Sequence, residues 1–242
     1  MRISNRHHRE IAKAIRAHAN EADLRWSQSG NGYIGTSKPY LPMTVGVLRH
    51  LAREWIRRHP NLGPTDYRAL LNSLARADTH NEFSFIGELL GFLPKLRRTL
   101  DPRQVAGWLE RAEGWGEIDT ISYSRFTAEE MLSDWKSWKR QLAALCRSRH
   151  LSQRRASLVL LTRPVRESPD ERLSRVALAN IDRLKHERDI LITKAISWLL
   201  RSLIRQHREE VEAYLRANEA ALPTVALRET ANKLRTGRKS EG

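Results

Sequence analysis

The chain has 242 residues, enough to bury a sizeable core as one large domain or two small ones. Its 40% hydrophobic and 29% charged residues are ordinary for a folded protein, but a net charge of +15, with 34 arginines among 43 basic residues, is not. A single cysteine, Cys146, excludes an intramolecular disulfide and a cysteine-based metal cluster, and no apolar run approaches the ~20 residues of a membrane span.

Arginine offers a planar fork of donors that matches phosphate oxygens, so the charge favours a polyanionic partner, nucleic acid before anionic membrane. An arginine-rich compositional bias would also raise the count. One thiol fits a reduced, cytoplasmic setting, nucleoid-associated if the source is bacterial.

Apolar residues recur at intervals of three and four, and Val/Ile/Thr-rich alternation is scarce, which predicts an all-α chain. Helices are expected at about 4–22, 40–59, 65–77, 80–93, 102–113, 116–124, 127–148, 151–162, 169–184, 188–206, 208–221 and 223–235. The first is amphipathic, with Ile3, Ile11, Ala14 and Ile15 inward. The segment from Trp26 to Pro42, with Gly30, Gly32, Gly35, Pro39 and Pro42, is the one long loop. Thr65-Asp66 after Pro64, Asp101 before Pro102, and Ser168-Pro169 with Glu171 close behind mark helix starts. Short helices joined by Pro/Gly turns suggest helices stacked in pairs, an α-solenoid, over residues 1–235 as a single domain, with 236–242 as a disordered basic tail. A compact all-α globule is the rival.

Three segments could carry chemistry. In Gly114-Trp115-Gly116-Glu117-Ile118-Asp119, an aromatic and a carboxylate stand four apart and share a helical face. By spacing alone a core tryptophan with a solvated acid is the favoured reading, because such pairs occur by chance in many helices. From Lys136 to Arg166, nine Lys or Arg occur with no Asp or Glu. Ordinary surface helices intersperse both signs, so this stretch, with Arg147, Arg149, Arg154 and Arg155, suits phosphate contact better than a plain solvated face. Third, Lys194, Trp198 and Arg201 share a face of one helix, where an aromatic between cations could pack on a sugar or base; a core Trp with neighbouring cations that keep their heads in water fits equally. No P-loop glycine pattern occurs, and the nine histidines are scattered, with no acid–histidine cluster at metal spacing. No metal and no cofactor are expected.

Together, and in this order, these segments resemble the DNA alkylation repair family, the AlkD-type HEAT-like-repeat alkylpurine DNA glycosylases. The family's Trp-x-x-x-Asp is met by Trp115 to Asp119, its arginine opening a small-apolar helix by Arg155-Ala156-Ser157-Leu158, and its Lys-Ala-Ile-Gly-Trp-x-Leu-Arg by Lys194 to Arg201, with Ser197 replacing the glycine. Tyr33-Ile34-Gly35-Thr36-x-x-Pro39 is similar to its early loop, and Leu215-Arg216-Ala217-Asn218 and Leu227-Arg228-Glu229-Thr230 to its last helices. The chain departs from the family pattern at Gly116, where a second acid is common, at Ser152, where an aromatic is common, and at Met43.

The resemblance implies a HEAT-like superhelix whose concave basic face cradles duplex DNA. It implies hydrolysis of the N-glycosidic bond of N3- or N7-alkylated purines, with Asp119 as the catalytic carboxylate and Trp115 and Trp198 flanking the damaged nucleotide. Arg155, Arg154, Arg201, Lys194, Arg147 and Arg149 would hold phosphates. A monomer with no obligate protein partner and no membrane attachment is expected. The alternatives are a non-catalytic HEAT-like protein that binds damaged or branched DNA, and a scaffold for an acidic protein partner.

Overall fold

The computed structural model describes residues 3–19 and 34–239. Among these residues every regular element is a helix, and the chain divides into two compact units, Met1–Ile121 and Ser122–Gly242. No helix of the described residues is long and apolar enough to cross a membrane.

The first unit contains α1 (Arg6–His18), α2 (Val45–Arg58), α3 (Pro64–Leu74), α4 (His80–Phe92), the short α5 (Pro94–Arg97) and α6 (Pro102–Leu109); α7 (Gly114–Ser122) closes it. The second contains α8 (Ala128–Ser133), α9 (Trp135–Cys146), α10 (Leu151–Val159), α11 (Pro164–Glu167), α12 (Glu171–Leu184), α13 (Ile190–Leu203), α14 (Arg208–Asn218) and α15 (Thr224–Thr236).

Local chemistry sets most of these boundaries. The Asn5 side chain caps α1 by accepting the His8 amide, Thr44 caps α2, Thr79 caps α4, and Asp101 closes a capping box with Gln104 at the start of α6. Thr44 starts α2 five residues later than the expected 40, because Pro39 and Pro42 keep the chain before it out of the helix. Asp170, not Ser168, caps α12 through the Arg172 amide, and Pro164 opens the separate turn α11 ahead of it. The helix expected over 127–148 is two: at Asp134, φ −123° and ψ 51° lie outside helical geometry and divide α8 from α9. Gly237, at φ 74°, ends α15. Lys239 beyond it pairs with Glu229 at 3.3 Å, while 240–242, like 20–33 with Trp26 and Tyr33 of the expected loop, fall outside the described residues.

Each unit is organised around one largely buried helix. In the first it is α4, buried from His80 to Leu90 and packed against α1, α2 and α3; Phe83, Phe85, Ile86 and Leu89 are buried, as are Tyr67, Leu70 and Leu71 of α3. Its polar residues are satisfied. Glu82 accepts from His8 at 2.9 Å, Arg16 at 3.1 Å and Thr79 at 3.1 Å, and Glu88 pairs with Arg49 at 3.4 Å. In the second unit α13 has that place, packed against α10, α15, α11 and α12 through Ile192, Ile196, Leu199 and Leu203. Cys146 is buried at the end of α9, its sulfur 3.7 Å from the Asn180 carbonyl, and burial pushes its thiol pKa up.

Candidate active site

Helix α7 carries Trp115 and Asp119 on one face, four residues apart, and both side chains are partly exposed. Between them Glu117 points the other way and is fully buried. It is the anchor of this helix. Thr36 Oγ1 donates to Glu117 Oε1 at 2.9 Å, Lys38 Nζ to Oε2 at 2.6 Å, and the Glu113 amide to Oε2 at 2.8 Å, with His80 Nδ1 3.2 Å from Oε1. Burial alone would raise the Glu117 carboxyl, but His80, the Glu113 amide and Lys38 outweigh it and hold the group below the usual carboxylate range. Glu113 repeats the pattern one turn earlier: the Ser37 amide donates to it at 2.6 Å, and it too is held below its ordinary value against burial.

The loop that meets α7 comes very close. Gly35 and Gly114 both have positive φ, 76° and 54°, and a Cβ on Gly114 would fall 2.1 Å from the Ile34 carbonyl oxygen. A Cβ on Gly116 would fall 2.3 Å from Ile34 Cγ2. The departure at Gly116 therefore has a steric cause, the seating of Ile34 against α7. Tyr40 stacks on His80 with centroids 5.4 Å apart, and its hydroxyl donates to the Met43 carbonyl, so the early loop is fastened along its length. None of Thr36, Lys38, His80 or Glu117 was expected as a site residue. Their one sequence signal is the Gly-Thr-x-x-Pro loop itself, which says nothing about an acid 81 residues on.

In the second unit the expected cations divide. Arg154 donates to both carboxylate oxygens of Glu187 at 2.8 and 3.1 Å, and also to the Ser148 and Arg149 carbonyls, so it clasps the turn between α9 and α10 to the residues preceding α13. Arg155 is buried and donates to the Leu191 carbonyl in the first turn of α13 at 2.5 Å. Arg201 is mostly covered, 3.2 Å from Ser197 Oγ and 3.5 Å from Glu229; burial lowers its pKa against the pull of Glu229. Lys194, Arg147 and Arg149 are exposed, and so are Lys136, Lys139 and Arg140 on α9.

Trp198 is partly exposed on α13 and meets Tyr123 with ring centroids 4.6 Å apart. Ser197, standing where the family motif has glycine, is buried and donates to Glu229 Oε2 at 2.5 Å, tying α13 to α15. Ser152 is buried in the first turn of α10, and Met43 is buried just ahead of α2.

The family model described as DNA alkylation repair enzyme matches residues 4–234. The chain belongs to the DNA alkylation repair family. Among solved structures, it is similar to a protein described as a predicted DNA alkylation repair enzyme from Enterococcus faecalis, at 15% identity and a TM-score of 0.71, over 88% of this chain and 96% of that one. At that identity the likeness establishes the fold, an all-α arrangement of the HEAT-like, α-solenoid class. None of the curated proteins matches the chain in sequence. Membership of the DNA alkylation repair family makes DNA repair the role and DNA the substrate class.

Proposed function

We propose that this DNA alkylation repair protein is a monofunctional DNA glycosylase that removes cationic N3- or N7-alkylated purines from duplex DNA. The observation that carries the reading is the placement of the two acids on α7: Glu117 is buried and holds the helix, whereas Asp119 shares a partly exposed face with Trp115.

A purine alkylated at N3 or N7 already carries positive charge and departs as a neutral base, so no general acid is required. The barrier lies in the oxocarbenium character that develops on the deoxyribose. A carboxylate held near the anomeric carbon stabilises that charge and orients the attacking water. Removing one aimed charge of this kind typically costs about 10²–10³ in rate. This explains how one carboxylate can suffice where glycoside hydrolysis normally uses a pair. Trp115, on the same face as Asp119, supplies an aromatic surface for the sugar and the cationic base, and Trp198, partly exposed in the second unit, supplies one for DNA. Lys194, Arg147 and Arg149 supply exposed charge for phosphates, while Arg154 and Arg155 keep the elements that carry them in place.

Asp119→Asn tests the reading. It should keep DNA affinity and lose at least about 100-fold in single-turnover release of 7-methylguanine from methylated duplex. Undiminished base release would remove Asp119 from the chemistry. Tight DNA binding with no base release even by the unsubstituted chain would favour a non-catalytic protein that recognises damaged DNA.

A further inference from the structure

The scattered histidines give no metal spacing in the sequence, but folding of the first unit gathers some of them. His7 and Glu10 lie three apart on one face of α1, and His59 is the C-cap of α2, which packs on α1. Glu10 Oε2 is 2.9 Å from His59 Nε2 and 3.9 Å from His7 Nδ1, and the three atoms all lie within 4.8 Å of one another. Donors around a tetrahedral ion at ~2.0–2.1 Å sit roughly 3.3 Å apart, a spacing these separations bracket.

The hydrogen bonds around the cluster fit ligation. His59 Nδ1 is 2.7 Å from the Trp55 carbonyl oxygen. A carbonyl only accepts, so Nδ1 carries the hydrogen, and neutral His59 presents the lone pair of Nε2 to the Glu10 carboxylate. Two acceptors 2.9 Å apart need a cation between them, a proton or a metal. An imidazole N–H given to a backbone carbonyl is also the outer contact by which ligating histidines are oriented. His7 is only 6% exposed, and its Nδ1 is buried with no hydrogen-bond partner. The rest of the cluster is already packed: Trp55 Nε1 donates to Glu10 Oε2 at 3.3 Å, its ring stacks on His59 at 4.2 Å, and His7 meets both rings edge-on. A cavity of about 230 Å³, lined in part by His7, His59 and Asn61, gives an ion and its water a way in.

We propose that His7 Nδ1, Glu10 Oε2 and His59 Nε2 form a binding site for a divalent transition metal ion of the zinc class, with water as the fourth ligand. Two imidazoles and one carboxylate suit zinc; magnesium and calcium prefer all-oxygen sets. The ion cross-links α1 to the end of α2 and is separate from the α7 chemistry. Arg6 works against it. Its Nε contacts His7 Nε2 at 3.4 Å, favouring the tautomer with the proton on Nδ1, and it must turn outward for the metal to bind; Arg58, on the cavity wall, adds a second opposing charge.

The test is zinc chloride titrated calorimetrically into the full chain, stripped beforehand with a chelator, with melting curves alongside. The unsubstituted chain should take up one zinc and melt higher with it, and cobalt should give visible d–d bands of tetrahedral nitrogen–oxygen ligation. Glu10→Gln and His59→Gln should each weaken zinc by more than about tenfold, while Arg6→Ala should strengthen it. Circular dichroism checks that each variant is folded. A chain that takes up no zinc would overturn the site and leave a plain His59–Glu10 ion pair. So would folded Glu10→Gln and His59→Gln proteins that bind zinc as tightly as the unsubstituted chain, which would assign the uptake to surface histidines.

Discussion

Gly116 is a departure from the family pattern with a steric counterpart in the fold. In sequence it stands where an acid is common in the family; in the fold it is the place where Ile34 sits, with 2.3 Å from an added Cβ to Ile34 Cγ2. Gly116→Ala should therefore destabilise the first unit by about 1–3 kcal/mol, the usual cost of overpacking. Ile34→Ala in the same chain should restore most of the loss, and thermal melts of the two single variants and the double variant measure the coupling. Were the double variant no more stable than Gly116→Ala alone, Ile34 would not be the obstacle. Trp115 and Asp119 were legible as a shared face because helical spacing is a local rule. The burial of Glu117 was not, because its partners Thr36, Lys38 and His80 arrive from 81, 79 and 37 residues away.

Among elements, the turn between α9 and α10 separates cations that hold the protein from cations that remain available. Arg154, engaged with Glu187 and two carbonyls, belongs to the first group; Arg147 and Arg149 are exposed. Arg154→Ala should lower stability by about 1–3 kcal/mol, through the unmet Glu187 and carbonyl groups, and leave the salt dependence of DNA binding unchanged. Arg147→Ala and Arg149→Ala should do the reverse, each reducing the slope of log affinity against log salt by about 0.9. Fluorescence anisotropy with a labelled duplex at several salt concentrations decides it, and a reduced slope for Arg154→Ala would return that residue to the phosphates. Sequence could not sort these arginines, since Glu187 lies 33 residues beyond Arg154. Helix starts fared better wherever the cap was adjacent, as at Asp101. The break at Asp134 carries no proline or glycine signal, which is why 127–148 reads as one helix.

Across the whole molecule, the +15 charge coexists with a small set of acids fixed inside the first unit. Glu82 and Glu117 are both held below the ordinary glutamate value of 4.5, burial being outweighed by His8 and Arg16 in one case and by His80, the Glu113 amide and Lys38 in the other. Because the folded values are depressed, their contribution to stability is complete above that value and is lost as pH falls through the folded pKa values. Hydrogen exchange on acidification should show α4 and α7 losing protection once the pH drops below 4.5; protection in both helices that stays flat well below it would contradict the assignment. The paired-helix fold was legible because it follows from apolar periodicity, whereas the two-unit division rests on contacts between distant segments. The covered thiol of Cys146 has a practical consequence. Buried and held protonated, it will react slowly with alkylating and disulfide reagents. A cysteine introduced at the exposed position of Arg147 or Lys194 would then be the one fast-reacting thiol in the chain, ready for disulfide trapping on a thiol-tethered duplex without first removing the native one.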